Sequence, residues 1–339
     1  MKKNIVKTVS IYFLLLLSNS CTINEKTDFP QLTTAAISAV TASSASLNVT
    51  ITNGGSSNIT AKGICWSTSP NPTTSLNTKT NDGTGTSSFN SLLSGLIPGT
   101  TYYVRAYATN NSGTVYSIEI TFTTTAVNLK TGLVAYYPFS GNANDTSGNG
   151  NNGIVNGATL TADRLGVTNN AYYFSSSNCS TRINASINTS SIQTGLTIAI
   201  WVLKVGEGCI APRILEFYPS SNSDGPGMAQ WGWDPYNKIT IGSITSTGFV
   251  SSYSFTGVTN VWTNLIYTND GSTGKFYKNG ILISSIPSSG NPILAGNTSF
   301  GRMNHPAYDS FNGKIDDIGI WNRALSQDEI TALYNGQKP

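Results

Sequence analysis

The stretch GLVAYYPFSGNANDTSGNGNNGIVNG, residues Gly132–Gly157, decides how the rest of the sequence is interpreted. It opens with an apolar, aromatic strand pattern at Leu133–Phe139, passes through a loop of Gly, Asn, Asp and Ser, and returns as a short strand pattern around Ile154 and Val155. A loop with so few apolar side chains has little to bury, so hydrogen bonds or a bound ion must order it. The stretch therefore predicts a strand, an ordered polar loop and a second strand.

The composition indicates an all-β protein with more than one domain. The chain has 339 residues, only 10% of them charged, and short β-branched and aromatic runs separated by turn residues. The formal net charge of +3 equals the contribution of Lys2, Lys3 and Lys7, which precede the first acidic residue, Glu25. The remainder is neutral, with 16 basic and 16 acidic side chains. This balance gives no electrostatic footprint for nucleic acid, so nucleic acid is not a predicted partner.

Residues 1–20 are typical of a signal peptide, with three lysines followed by the apolar run Ile11–Leu17. Cys21 follows directly and resembles the acylated cysteine of bacterial lipoproteins, although Ser18 stands where that family prefers leucine. The alternative is an ordinary cleavable signal with an incidental cysteine. The resemblance implies an exported lipoprotein, anchored to the outer membrane by lipid on Cys21 and located at the cell surface or in the periplasm. Residues 21–30 then form a polar tether.

Three further cysteines suggest one disulfide. Export favours oxidation, and Cys179 and Cys209 fall in the same predicted domain, so we predict that they pair. Cys65 lies in the apolar run Gly63–Trp66 of another domain and is predicted to be a buried free thiol. Since His305 is the only histidine, no zinc site is predicted.

Residues 31–125 form the first predicted domain, with short strands at the spacing of a small sandwich. The segment LIPGTTYYVRAYATN, which begins at Leu96, resembles the turn and following strand of fibronectin type III domains. The resemblance implies an immunoglobulin-like β-sandwich in which Tyr102 or Tyr103 is a structural corner tyrosine. Such modules commonly serve as spacers.

Residues 131–336 form the second and larger domain. Four segments in order, GLVAYYPFSGNANDTSGNGNNG, LTIAIWV, KFYKNG and FNGKIDDIGIWNRALS, resemble the laminin-G-like/concanavalin A-like lectin superfamily. The resemblance implies a two-sheet antiparallel jelly roll. Ser326 and Glu329 form a capping box, and Gly336 is placed to end the helix, so we predict a short C-terminal helix packed on the sandwich.

The same resemblance implies a structural calcium ion held between the polar loop and the last strand. Its predicted ligands are Asp145, Ser147, Asn149 and Asp316. The alternative is that Asp145 makes an Asx turn and Asp316 hydrogen bonds to that turn without a metal. Strand alternation predicts that Asp317 faces away from Asp316.

Carbohydrate binding is the usual role of exposed aromatic residues in this fold. In the segment MAQWGWDPY, Trp231 and Trp233 share one face if the chain is extended, while hydrogen bonds are predicted from neighbouring loops through Arg213, Arg302, His305 and Tyr308. The alternative is that both tryptophans belong to the core. The resemblance implies that a glycosidase of this fold would carry a strand with the pattern E-x-D-x-E. No glutamate in this sequence belongs to such a pattern, so no catalytic residues are predicted.

The predicted function is therefore a non-catalytic carbohydrate-binding or adhesion module displayed on the bacterial cell surface. Its partner would be a glycan, a surface polysaccharide or a glycoprotein. Two alternatives remain open: a structural or protein–protein component of a surface complex, and a degenerate glycoside hydrolase.

Overall fold

The computed structural model describes residues 28–34, 36–177, 180–206, 212–218, 229–233, 238–245, 248–288, 294–302 and 311–339. Apart from one short helix, the regular elements in these ranges are strands, so the all-β prediction is confirmed. Contacts divide the chain into two compact units. The first comprises Leu47–Ser91, Tyr103–Ile120 and the chain up to Ala36; the second comprises Ile37–Ser46, Leu92–Tyr102 and Thr121–Pro339. The predicted domain boundaries stay predictions.

The N-terminal strands form two small sheets. The strands are β1 (Gln31–Thr34), β2 (Ser44–Asn53), β3 (Ala61–Ser67), β4 (Phe89–Ser94), β5 (Thr101–Asn110), β6 (Gly113–Tyr116) and β7 (Ile120–Thr123). One sheet has the order β1-β2-β4; in the other, β5 pairs with β3, β6 and β7. In the first unit, Ile51, Ile59 and Ala108 form a buried cluster with Leu32 and Phe89 packed against it.

The remaining strands form two larger sheets. The first set is β8 (Leu133–Tyr137), β9 (Ile154–Asn156), β10 (Thr159–Thr161), β11 (Ala171–Phe174), β12 (Arg182–Ser186), β13 (Leu196–Lys204), β14 (Arg213–Tyr218) and β15 (Ala229–Trp233). The second is β16 (Lys238–Thr245), β17 (Gly248–Thr256), β18 (Thr263–Asn269), β19 (Thr273–Lys278), β20 (Ile281–Pro287), β21 (Asn297–Phe300) and β22 (Gly313–Trp321). The eight-stranded sheet has the order β10-β11-β22-β13-β18-β19-β20, with β8 also paired to β22; the seven-stranded sheet has the order β17-β16-β15-β14-β21-β12-β9.

The main core lies between these two sheets. From the eight-stranded sheet, Ile198, Ile200 and Val202 alternate inward along β13, as the period of a strand requires. From the seven-stranded sheet, Leu215 and Phe300 sit opposite each other and join the same cluster. The alternation leaves each sheet with a second face that points away from this core.

The second face of the eight-stranded sheet is also covered. Helix α1 (Gln327–Tyr334) packs there through Ile330 and Leu333, next to Trp321 and Leu129. The indole N–H of Trp321 donates to the backbone oxygen of Leu129 at 2.7 Å. Residues 126–130, which lie between the two predicted domains, are therefore partly built into this apolar cluster.

The ends of α1 agree with the sequence. Ser326 is the N-cap and forms both halves of the capping box with Glu329, whose carboxylate also pairs with Arg323 at 2.6 Å. Gly336, with a φ of +89°, follows the C-cap residue Asn335 in the left-handed region that ends a helix. The predicted helix, its cap and its end are confirmed.

Candidate functional site

The carboxylate of Asp145 organises the polar loop through hydrogen bonds. Oδ1 accepts from the backbone N–H of Tyr136 at 3.0 Å and of Ser147 at 2.9 Å, the second being an Asx turn. Oδ2 accepts from both the backbone and side-chain N–H groups of Asn151 at 2.9 Å. These bonds lower the pKa of Asp145 against the opposing effect of burial.

Asn149, Asn151 and Ser147 attach the loop to strand β8. Their side chains donate to the backbone oxygen of Val134, at 2.9, 3.0 and 3.2 Å respectively. Asn151 continues the network, because its backbone oxygen accepts from the Tyr137 hydroxyl at 2.6 Å. The loop is thus bound to the first strand of the larger sandwich by a closed set of hydrogen bonds.

Asp316 points to a different partner. Its Oδ2 accepts from Arg164 Nη1 at 2.8 Å, and the same nitrogen donates to Asp317 Oδ2 at 2.6 Å. Tyr136 donates its hydroxyl to Asp317 at 2.6 Å, and Lys338 lies 3.1 Å from the same carboxylate. The acidic pair is therefore neutralised by two cations and does not contact the Asp145 turn through any hydrogen bond between described residues.

The prediction that Asp317 faces away from Asp316 is wrong, because β22 contains a bulge. Ala199 pairs with Gly319 and Trp201 with Asp316, so β22 has one more residue than β13 between these pairs. Asp317 takes up the extra residue with a φ of +45°. Both carboxylates therefore reach Arg164, whose guanidinium also lies 4.6 Å from the centre of the Trp201 ring.

The predicted calcium ligands do not fit a calcium ion as they are arranged. Both Asp145 oxygens already accept two N–H groups each, and an N–H donor at an oxygen occupies the position a cation would need. Asp316 is engaged by Arg164, so it is not available as a shared ligand. Within the described ranges, no group of three His, Cys, Asp or Glu side chains is placed to hold a metal. Calcium binding by the chain stays an untested prediction.

Trp231 does not form a sugar platform, and that part of the prediction is wrong. Its ring is fully buried in the main core. Trp231 lies on the inner face of the sheet, opposite Leu215 of β14 on one side and Ile241 of β16 on the other. The alternative, that this tryptophan is core, holds. The side chain of Trp233, together with His305 and Tyr308, lies outside the described residues.

The outer face of the seven-stranded sheet is polar instead. Ser299 on β21 lies opposite Asn184 on β12 and Glu216 on β14, so three polar side chains form a row across three strands. Ser299 and Glu216 are fully buried, whereas Asn184 keeps partial exposure. Oδ1 of Asn184 and Oγ of Ser299 are buried atoms without a hydrogen-bond partner in the part of the chain that the structure describes.

Two arginines flank this row. Arg182 precedes Asn184 by two residues on β12, and Arg213 lies opposite Gly232 at the start of β14. A Cβ atom on Gly232 would come within 3.2 Å of Arg213 Nη1, so the glycine leaves room for the guanidinium. We call this surface the polar face, defined by Arg182, Asn184, Arg213, Glu216, Tyr218 and Ser299.

Electrostatics tie the members of the polar face together. Burial and then Glu216 raise the pKa of Tyr218, while Arg182 lowers it, so these charged groups lie close to the phenol. Of the two predicted arginines, Arg213 belongs to the face, and Arg302 follows β21 with partial burial. Arg182, Asn184, Tyr218 and Ser299 were not among the predicted binding residues. The alternation of polar and apolar residues in RINAS, residues 182–186, was the available signal.

The structure tests the prediction for one of the four cysteines. Cys65 is a buried free thiol as predicted, and burial raises its pKa to about 11. Cys21, Cys179 and Cys209 lie outside the described residues, so the anchor and the disulfide stay predictions. No helix within the described ranges has the length and apolarity that crossing a membrane requires.

Comparison with known proteins identifies the larger fold. Residues 175–331 match the family model described as the concanavalin A-like lectin/glucanases superfamily. A comparison with curated proteins found no match.

Among solved structures, the chain is similar to binding domains of botulinum neurotoxins. One comes from the study "Cell entry of botulinum neurotoxin type C is dependent upon interaction with two ganglioside molecules", with 18% identity and a TM-score of 0.51, covering 62% of this chain and 53% of that one. The receptor binding domain of botulinum neurotoxin D gives 20% identity and a TM-score of 0.51, covering 62% and 54%. The binding domain of neurotoxin DC in complex with rat synaptotagmin II gives 15% and 0.50, covering 62% and 53%.

The chain spans about half the length of these neurotoxin structures. At such identities the likeness establishes the fold alone. It agrees with the family match and with the two packed antiparallel sheets. The C-terminal region of this chain therefore has a concanavalin A-like jelly-roll fold, and its residues 175–331 are similar to the concanavalin A-like lectin/glucanases family model.

Proposed function

We propose that the chain is a non-catalytic carbohydrate-binding or adhesion module and that the polar face is its binding surface. The observation that carries the proposal is the row formed by Asn184, Ser299 and Glu216, in which two buried oxygens have no partner among the described residues. A buried polar atom without a hydrogen bond costs about 1–3 kcal/mol. Sugar hydroxyl groups are suited to remove that cost, since each one donates and accepts.

Exposure supports access to this surface. Asn184, Arg182 and Tyr218 keep partial exposure and form a rim that is open to solvent, whereas Ser299 and Glu216 are fully buried. Binding sites commonly combine such a rim with a few fixed polar groups on a rigid sheet. Among the similar neurotoxin structures, one is a complex with rat synaptotagmin II and another concerns interaction with ganglioside molecules, which is consistent with a binding role for this fold.

The arrangement of carboxylates favours binding over hydrolysis. Retaining and inverting glycosidases use two carboxylates about 5–10 Å apart. Glu216 is the one carboxylate on the seven-stranded sheet within the ranges described. We therefore propose recognition without catalysis.

The setting of the module is also proposed. Lipid on Cys21 would hold the protein at the outer membrane, and an immunoglobulin-like domain of fibronectin type III type would separate the lectin-like domain from the lipid. In support of the second point, the backbone N–H of Ile97 donates to the Tyr102 hydroxyl at 2.9 Å, as expected of a corner tyrosine.

A protein–protein role is the second candidate. The burial of Trp231 favours it, since one of the two predicted stacking rings is taken up by the core. In that case the polar face would take a polypeptide partner.

Glycan-array binding by the full chain, kept soluble in mild detergent, tests the proposal. We expect binding to at least one glycan class, and we expect Asn184→Ala to weaken it by about tenfold, the loss of one good hydrogen bond. The matched control is Asn111→Ala at an exposed turn of the first unit, which we expect to leave binding unchanged. Absence of binding to any glycan overturns the proposal, and so does an equal loss in both variants.

A further inference from the structure

We infer that a cavity in the larger sandwich binds one primary ammonium group, and that Lys338 lies at its edge and competes for it. The cavity is on the face of the eight-stranded sheet that α1 covers. It is separate from the polar face, because the polar face belongs to the other sheet. The inference therefore does not depend on the proposed function.

The size of the cavity limits its occupant to one small group. Its volume is about 20 Å³, and it is lined by side chains of the sheet, among them Trp201 and Asn264, and by Leu333 and Gln337 on the side of α1. A space of this volume holds one water-sized group, because a water molecule needs about 10–15 Å³ by the same measure. An ammonium head group is close to a water molecule in size, so it fits.

The polar atoms that lack partners in this cavity are acceptors. Asn264 is 2% exposed, and its Oδ1 has no hydrogen-bond partner among the described residues. Oε1 of Gln337 is likewise buried without a partner there. The side-chain nitrogen of Asn264 is already used, since it donates to the backbone oxygen of Ile200 at 3.4 Å. Two such acceptors favour an occupant that donates, and an ammonium group carries three N–H donors.

The charges around the cavity favour a cation. Asp317 lines the cavity, and its carboxylate shares Nη1 of Arg164 with the neighbouring Asp316. When both carboxylates are ionised, one guanidinium leaves one negative charge unbalanced. Lys338 balances it, with Nζ at 3.1 Å from Oδ1 of Asp317. Because the side chain of Lys338 is 46% exposed, an external ammonium group can replace it at low cost.

The cavity suits an ammonium group better than a metal ion. Calcium and magnesium take six or more oxygen ligands, whereas this cavity offers two unpartnered amide oxygens beside one carboxylate. Within the described ranges, no three His, Cys, Asp or Glu side chains are grouped to hold a metal. The rings of Trp201 and Trp321 also line the cavity, and aromatic rings attract ammonium groups.

Replacing the internal ammonium group by an external one tests the inference. Lys338→Met loses the charge and keeps an apolar stem. The full chain, in mild detergent, is melted at about pH 9, above the pKa of about 8 for Asp316 and below that of alkylammonium groups, about 10.4. We expect about 100 mM methylammonium chloride to raise the Tm of Lys338→Met by about 2 °C or more relative to sodium chloride. The wild-type protein is expected to gain less, because Lys338 competes.

Controls separate binding in the cavity from a general effect of salt. Tetramethylammonium has the same charge but no N–H donor, and we expect it to act like sodium. Gln337→Leu, added to Lys338→Met, removes one acceptor and is expected to reduce the gain from methylammonium by half or more. Lys130→Met removes an exposed lysine away from the cavity and is the matched control, with no gain expected. Saturation-transfer NMR of methylammonium on each folded variant reports binding without relying on the melts.

Each outcome decides the inference. A gain in Lys338→Met that is specific to methylammonium and reduced by Gln337→Leu supports it. Equal gains with sodium, potassium or tetramethylammonium overturn it, because the site would then not select N–H donors. A response that survives Gln337→Leu unchanged, or that appears equally in Lys130→Met, also overturns it.

Discussion

At the residue scale, Asp145 shows how a polar loop is ordered without apolar burial. Four N–H groups converge on one carboxylate, and three other side chains join the loop to Val134. The sequence indicated that either hydrogen bonds or an ion must order this loop. It could not decide between them, because the choice depends on which backbone N–H groups the folded loop turns toward Asp145.

Replacing Asp145 is expected to destabilise the larger sandwich. Asp145→Ala leaves part-buried N–H groups of Tyr136 and Asn151 without an acceptor, so we expect a loss of about 2–4 kcal/mol in the free energy of unfolding, measured by urea titration. Asn142→Ala in the same loop removes a single exposed acceptor and is expected to cost less than about 1 kcal/mol. Equal effects of the two substitutions would contradict the central role of Asp145.

The same carboxylate gives a pH dependence of known sign. Its pKa is lowered in the folded state, so its contribution to stability is present above the unfolded-state pKa and is lost as pH falls through the folded-state value. We expect the stability difference between the wild-type protein and Asp145→Ala to shrink between pH 5 and pH 3. A difference that stays constant over this range would contradict the hydrogen-bond network described for Asp145.

At the element scale, much of the strand pattern could be predicted. Strand β8 lies within the predicted Leu133–Phe139, and β9 contains Ile154 and Val155, around which a short strand was predicted. The helix was predicted from its capping box, Ser326 and Glu329, and from Gly336 at its end, because capping depends on residues that are close in sequence. Strand β12 was missed since it is short and carries only two apolar side chains. The bulge at Asp317 was missed because it depends on how β22 pairs with β13.

Because the bulge places Asp317 beside Asp316, it affects the pKa of Asp316 and therefore how stability changes with pH. Burial, and then the neighbouring Asp317, raise the pKa of Asp316 to about 8, against the opposing effect of Arg164. A pKa raised above its unfolded value means that Asp316 stabilises the fold fully below about pH 4 and loses this contribution as pH rises through about 8.

We therefore expect Asp316→Asn to gain melting temperature relative to the wild-type protein between pH 5 and pH 9. Asp270→Asn, in an exposed hairpin turn, is the control and is expected to show no such trend over that range. If the difference for Asp316→Asn falls with rising pH instead, the ion pair with Arg164 outweighs burial and the predicted sign is wrong.

The helix cap is a second test at this scale. Glu329→Ala removes the capping box and the ion pair with Arg323, so we expect a loss of about 1–2 kcal/mol in the free energy of unfolding. Glu329→Gln keeps an acceptor for the N–H of Ser326 and loses only the charge, so its cost is expected to be smaller. Equal costs for both variants, measured by urea unfolding, would show that the cap contributes nothing.

At the scale of the whole molecule, the resemblance of four segments in order predicted the jelly roll. It did not predict which residues of each sheet face the core. The predicted binding residues Trp231 and Arg213 turned out to lie on opposite faces of one sheet, since Trp231 joins the core and Arg213 lies beside Gly232. Face assignment depends on strand pairing and on bulges, which single segments do not reveal.

Chelation tests whether the larger sandwich needs a metal. Because the Asp145 oxygens are occupied by N–H donors and Asp316 by Arg164, we expect the melting temperature of the full chain to be the same with calcium and with a chelator. A rise of several degrees with calcium, together with metal found by elemental analysis, would contradict this expectation.

The most direct measurement is hydrogen–deuterium exchange of the full chain with and without a glycan that binds on the array. We predict added protection in β12, β14 and β21, the strands that carry the polar face, and none in β19 and β20 of the eight-stranded sheet. Protection confined to the eight-stranded sheet or to the Asp145 loop would contradict the assignment of the polar face as the binding surface.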